Sequence, residues 1–290
     1  MSSIVGKLFE KVLLKKILPT LREKQNKLQR GFTKGVAPTN AALLLTEVIV
    51  EAKDKYEPVL NTCFVDASKA FDVVWYSSML RRLFYTGVGG NNWSIINKMY
   101  QNMNSKVKWD GNISKSFDEQ QGVRHGGIVS PELYKVFINP LLEFYKTNNL
   151  GFKIGSIHIG SPTYADDIVL LSKSQQELQT MLSSQEQFAN DERYIISKGK
   201  TKIMLFSKKP IGDIPENFTL HDQLMENVKS YTHIGIERKP CSQDVAETRI
   251  KTARRTSYAL MGAGMHGYNG INPEKTYKGK TRKVLETASY

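Results

Sequence analysis

Residues 161–172 read SPTYADDIVLLS, setting Asp166 beside Asp167 directly ahead of the apolar run Ile168-Val169-Leu170-Leu171. Adjacent like charges repel, and the apolar residues behind them call for burial, so the segment reads as strand, tight turn, strand. Aspartate is also an ordinary turn residue, and taken alone the pair reads more readily as the bend itself. A second segment shifts that balance. CFVDASKAFDVV, residues 63–74, is again a strand-forming run that ends in an acid, Asp66. Two buried strands bringing Asp66, Asp166 and Asp167 to one edge would repel unless cations lay between them, and oxygen donors of this charge suit magnesium or manganese. Two such ions about 3.5–4 Å apart can activate an attacking hydroxyl and stabilise a leaving pyrophosphate, which is phosphoryl-transfer chemistry.

The 290-residue chain is 40% apolar and 24% charged, the make-up of a folded protein with room for one large domain or two smaller ones. No stretch approaches about 18 consecutive apolar residues, so no membrane span is expected. The N-terminus MSSIVGKLFEKVLLKKILPTL alternates apolar and basic residues and lacks the apolar core of a secretory signal. Two cysteines are too few for a disulfide framework or a zinc site, and the five histidines lack ligand spacing, which favours an intracellular, reducing setting. A net charge of +13 favours polyanions, nucleic acid first among them, although basicity alone is common in proteins with no such partner. Lys and Arg gather in residues 7–34, 197–209 and 241–290, around a more balanced middle that holds the acidic motifs. A polymerase or nuclease would carry its charge in this way.

The element order supports an α+β fold. Residues 3–28 predict a basic amphipathic helix broken at Pro19. Thr39 or Asn40 is placed to cap a second helix, and LNTCFVDAS predicts a buried strand ending at Asp66. Two helices follow, over YSSMLRRLFYTGV and WSIINKMYQNM. A hairpin turns at Asp110-Gly111, and Ser130-Pro131 opens a helix that Pro140 should kink or end. Ser174 to Glu177 has the pattern of a capping box, TKIMLFS predicts a strand, and residues 245–264 predict a basic helix. Mixed helices and hairpins in this order imply an antiparallel sheet backed by helices.

Seven segments then carry a resemblance: KLFEKVLLKKI, QRGFTKG, FVDASKAFD, QGVRHGGIVSP, YADDIVLLS, KTKIMLFS and YTHIGI. In this order they resemble the reverse transcriptase domain of non-LTR (LINE-type) retrotransposons, near the jockey and chicken-repeat-like groups. The resemblance implies a right-hand polymerase palm with partial fingers over residues 1–238 and the start of a basic helical thumb over 239–290. It implies RNA-directed DNA synthesis, with two Mg2+ or Mn2+ ions, a dNTP, an RNA template and a DNA primer. It makes Asp66, Asp166 and Asp167 the metal ligands, joined by the backbone carbonyl of Ala67.

Other positions follow from the same likeness. Phe71 matches the aromatic that would collide with a ribose 2′-hydroxyl, although a ring at a strand–helix junction is also ordinary core. Lys69 lies where a triphosphate is expected, and is equally readable as a solvated lysine. Asp72 reads as a charge at a helix N-terminus. Gly126 and Gly127 would let backbone approach the substrate. Lys200 matches the position that protonates departing pyrophosphate, or else contacts a backbone phosphate. Tyr231 and Gly235 match the turn that grips the primer end, and Arg249, Lys251, Arg254 and Arg255 would lie on phosphates. Two positions depart from the family pattern. His125 stands where it has Gln, and Thr33 where it has Arg, leaving Arg30 or Lys34 to meet the triphosphate.

The family's segments before Met1 and the rest of a thumb are absent from the sequence, so it reads as truncated at both ends. The alternative to a working polymerase is therefore an inactive nucleic-acid-binding remnant of such an element. An RNA-copying RNA polymerase is disfavoured by Phe71, and an intron maturase by the forms of SKAFD and YTHIGI. Retrotransposition implies action in the nucleus.

Overall fold

The computed structural model describes residues 3–55, 60–207 and 217–240. Within them lie helices α1 (Ile4–Lys24), α2 (Pro38–Lys55), α3 (Tyr76–Tyr85), α4 (Gly90–Tyr100), α5 (Ser130–Thr147) and α6 (Gln175–Glu192). The central sheet joins β1 (Leu60–Val65), β8 (Thr163–Tyr164), β9 (Asp167–Ser172) and β10 (Lys202–Phe206) in the order β10-β1-β9-β8, every pair antiparallel. The remaining strands form small ribbons. They are β2 (Asn104–Ser105) with β5 (Phe117–Asp118), β3 (Lys108–Trp109) with β4 (Asn112–Ile113), and β6 (Lys153–Ile154) with β7 (Ile157–His158). Two more pair β11 (Thr219–Leu220) with β12 (Gln223–Leu224), and β13 (Tyr231–His233) with β14 (Ile236–Arg238).

The central strands are buried along nearly their whole length because both faces of the sheet are covered. Strand side chains alternate between faces. Cys63, Val65, Ile168, Leu170, Ile203 and Leu205 enter one core with α1, α3, α4, α5 and α6. Their neighbours Phe64, Val169, Leu171, Met204 and Phe206 enter a second core, under Leu45, Val48 and Ile49 of α2. All six residues of β1 are buried, so its far end, where Asp66 begins, is held on both sides.

Three expectations about helix ends are corrected. Helix α1 runs unbroken through Pro19 and stops at Lys24. Pro19 lies on the exposed side, so its missing hydrogen bond faces water, while Leu13, Ile17 and Leu21 stay buried opposite. Pro140 is likewise exposed, and it does not end α5, which continues to Thr147. Helix α2 starts at Pro38, which places Thr39 and Asn40 inside its first turn. The Ser174 hydroxyl does cap the Glu177 amide (3.2 Å), but the Glu177 carboxylate accepts from Gly151 N (2.9 Å) and from the Ser172 hydroxyl, leaving the box half closed. The Asp110-Gly111 hairpin forms as predicted, with both residues at positive φ. The predicted basic helix over 245–264, Arg249, Lys251, Arg254 and Arg255 among its residues, lies outside the described residues, as does most of the predicted 239–290 unit.

Candidate active site

Asp66 follows the last residue of β1, and Asp167 opens β9. The ladder's final pair, Val65 with Ile168, puts Asp66 and Asp167 on the next rung, with Asp166 in the two-residue turn between β8 and β9. Three carboxylates thus reach one edge of the sheet. Their shared field shows in the surrounding groups. Burial first, then Asp166 and Asp66, push the Asp167 carboxyl up to about 6. Burial raises the Tyr134 phenol, with the Tyr194 phenol next and Asp166 and Asp167 adding to it; burial likewise raises Tyr231 to about 12, with Asp167 and Asp66 contributing.

Asp66 is held by its backbone. Its amide donates to the Thr201 hydroxyl (3.2 Å), and its carbonyl accepts from Ser197 N (2.8 Å). Ser68 N donates to Ile195 O (2.8 Å), so the contacts with residues 195–197 run through Asp66 and Ser68 and leave the Ala67 carbonyl out of that ladder. The Asp66 Oδ2 atom is buried and receives no hydrogen bond, with Lys200 Nζ standing 3.7 Å away. A buried, unbonded carboxylate oxygen at the edge that carries two more carboxylates fits a hard divalent cation in charge and donor type. Among the described residues, no three His, Cys, Asp or Glu side chains are gathered closely enough to hold an ion as they stand.

Phe71 sits half-buried beside this edge, stacked on Tyr134 (4.8 Å between centroids, 14°) and met edge-on by Phe32 (5.6 Å, 84°). Lys69 is exposed, with φ 52, and its carbonyl accepts from Asp72 N (2.7 Å). Asp72 precedes α3 by a full turn, so the reading as a helix N-terminal charge is corrected. Its Oδ1 instead lies 2.5 Å from His125 Nε2.

Gly126 needs its left-handed φ of 77, and open space lies where a side chain would stand. At Gly127 that space is filled by the protein itself, for a Cβ would come within 2.5 Å of Ser130 Oγ. Thr33 turns its hydroxyl onto Gly31 O (3.3 Å), Lys34 is exposed, and the Arg30 Nε is buried without a hydrogen-bond partner.

Tyr231 stacks on Phe64 of β1 (4.3 Å, 15°), and its hairpin turns through Ile234 and Gly235, at φ 49 and 73. Arg238 ties that hairpin to α2 through the Thr46 hydroxyl and Ala42 O, both at 2.7 Å. Next to Tyr231's strand partner, His233 is buried, and both ring nitrogens lack hydrogen-bond partners. Burial, then Arg238, holds its pKa down at about 3. The folded state therefore binds fewer protons than the unfolded chain between about pH 6.5 and 3, and stability is lost as pH falls through that window. His233→Leu should flatten this loss, which thermal melts at pH 7 and pH 4 will show as a smaller drop in Tm than in wild type.

The reading from sequence missed Gln29, Glu10 and Thr201. Glu10 lies on a basic helix, yet it is buried and its Oε2 accepts from Ile128 N (2.5 Å) and Val129 N (3.3 Å), holding the loop that carries His125. An acid among lysines on an otherwise amphipathic helix was the available signal for it.

The family model described as reverse transcriptase (RNA-dependent DNA polymerase) matches residues 1–251. The RNA-directed DNA polymerase from mobile element jockey of Drosophila funebris is 26% identical over 240 residues, covering 80% of this chain and 25% of that protein. The Nasonia vitripennis type-1 retrotransposable element R2 polyprotein is 30% identical over 155 residues, covering 53% of this chain and 15% of that protein. The chain thus spans a quarter or less of the length of these relatives. Among solved structures, apo telomerase from Candida tropicalis superposes with a TM-score of 0.55 at 13% identity, covering 81% of this chain and 40% of that one, a likeness of fold.

Proposed function

The chain belongs to the reverse transcriptase family, and from that premise we propose that it extends a DNA primer on an RNA template, transferring a nucleotidyl group from a dNTP to the primer 3′-hydroxyl. The observation that carries this reading is the convergence of Asp66, Asp166 and Asp167 at one sheet edge, where burial first, and then the other two charges, raise the Asp167 carboxyl to about 6. Reverse transcriptases depend on divalent metal ions, act on RNA templates and share this α+β palm. Here the ligands would be the three carboxylates with the Ala67 carbonyl, and Mg2+ or Mn2+ bound there would activate the hydroxyl and neutralise the departing pyrophosphate.

The chain's own residues do the rest. Thr201 and Ser197 fix the backbone of Asp66, so that its carboxylate is aimed by the sheet. Lys200, already drawn to Asp66, is in reach of negative charge developing at the same place. Phe71, braced by Tyr134, presents a ring edge that a 2′-hydroxyl would strike. Gly126 bends the loop that carries His125 past the nucleotide, and Tyr231, stacked on Phe64, seats the primer end.

Primer extension on a primed RNA template with Mg2+ or Mn2+ tests the proposal, with Asp166→Asn as control. Incorporation no greater than the control's defeats it. In an active protein, Phe71→Val should raise the use of rNTP relative to dNTP by at least about 10-fold, a steric difference on the order of 1–2 kcal/mol. Competition between the two nucleotides measures the ratio.

A second reading is a nucleic-acid-binding module without polymerase chemistry. His125 and Thr33 in place of Gln and Arg favour it. RNA binding that weakens steeply with salt, is indifferent to Asp166→Asn and is unaccompanied by incorporation would select it.

A further inference from the structure

The turn Gln29–Phe32 lies far upstream of the carboxylates in sequence, yet it touches both halves of the site. Gln29 is buried, and its side-chain amide reads both backbone groups of one residue. Its Nε2 donates to Ala165 O (2.9 Å), and its Oε1 accepts from Ala165 N (3.0 Å) and Gly31 N (3.0 Å). Around it, Arg30 N donates to Thr163 O (2.9 Å) and Thr163 N to Leu28 O (3.0 Å), so the turn is laced to β8 as a short parallel neighbour.

Ala165 is the residue that needs such a hold. It immediately precedes Asp166 and has φ 61, a left-handed conformation that costs a non-glycine residue about 1–3 kcal/mol and persists where its surroundings fix it. At the other end of the turn, Phe32 is itself left-handed (φ 54) and sets its ring edge-on against Phe71.

We propose that this turn is a positioning bracket for the reaction, an inference that rests on the polymerase reading above. Gln29 fixes the backbone from which Asp166 and Asp167 project, and Phe32 fixes the ring of Phe71. Neither touches substrate; each acts through the residue it holds. The two ends therefore control different quantities, turnover at Gln29 and sugar choice at Phe32.

Gln29→Glu is the informative variant, since it keeps the shape and the acceptor but turns a second oxygen against the Ala165 carbonyl. It should lower kcat by about 10–100-fold, the usual effect of losing a residue that orients metal ligands, with a much smaller change in KM for dNTP. Mn2+ in place of Mg2+ should recover part of the loss, because Mg2+ demands near-ideal octahedral geometry. Mn2+ affinity by calorimetry should fall in parallel, and the Ala165 amide should exchange faster with solvent. Phe32→Ala should lower the dNTP-to-rNTP ratio by about 10-fold, and Phe32→Tyr should restore it.

Unchanged kcat and Mn2+ affinity in Gln29→Glu overturn the bracket, as does an unchanged sugar ratio in Phe32→Ala. The Mn2+ titration and amide exchange need no turnover. A wild-type protein that binds Mn2+ without extending primer sinks the polymerase reading, and the bracket then stands or falls on whether Gln29→Glu shifts those two measurements.

Discussion

Asp167→Asn should lower primer extension by at least about 10^3-fold, the equivalent of some 4 kcal/mol of lost transition-state stabilisation, while raising the melting temperature at pH 7. The two effects have one cause. Asp167 opens β9 beside Asp166 and on the rung next to Asp66, and burial with the other two charges pushes its carboxyl up to about 6. Its unfolded counterpart titrates near 3.8. Between those values the folded state binds more protons, so stability falls as pH rises from about 4 to 6 and the cost stays in place above that. Asparagine removes the charge and with it the cost. The stabilisation should be absent below about pH 4, grow to pH 6 and level off beyond; solvent at the exposed edge keeps it modest. Thermal melts across pH, read beside primer extension, check both limbs. A variant that loses activity and stability together would place Asp167 in the scaffold instead of the reaction.

Gly31→Ala should be the most damaging of the small substitutions. A Cβ at this position would lie 2.1 Å from Ala165 N and 2.6 Å from Ala165 Cα. These are backbone atoms, and the strand leading away from them is buried on both faces, so neither partner can step aside cheaply. Overpacking of this kind costs about 1–3 kcal/mol in a tolerant core and more where backbone meets backbone. Relief would pull the turn at residues 29–32 off β8, taking Gln29 from Ala165 and Phe32 from Phe71. The expected result is a loss of roughly 3 kcal/mol or more in chemical denaturation, with little or no primer extension. Gly35, four residues further along, has open space around it, and its φ of 81 limits it to a conformational cost. Gly35→Ala should therefore be the milder of the two by the same measurements.

How far the sequence is legible depends on whether a structural feature is local. The mostly apolar runs at Leu60–Val65, Asp167–Ser172 and Lys202–Phe206 announce their strands, because burial on both faces of the sheet removes the polar alternation of a half-exposed strand. The same runs place Asp66 and the Asp166–Asp167 pair at strand ends, where a sheet edge is the natural meeting point. Prolines 19 and 140 mislead, since the cost of a proline depends on whether its lost hydrogen bond faces water, which periodicity does not record. Asp72 misleads in a different way: its partner, His125, sits in a loop far along the chain.

The sheet strands, the acid-bearing turn and the family they belong to are legible without coordinates, because strand periodicity, turn chemistry and motif order are all written in neighbouring residues. What holds that turn and its surroundings in place emerges only on folding. Gln29 on Ala165 in that turn, Glu10 on the loop of residues 128–129 and Thr201 on Asp66 are hydrogen bonds between a side chain and distant backbone. Their backbone partners carry no side-chain signature, so the pairing exists only once the chain has folded.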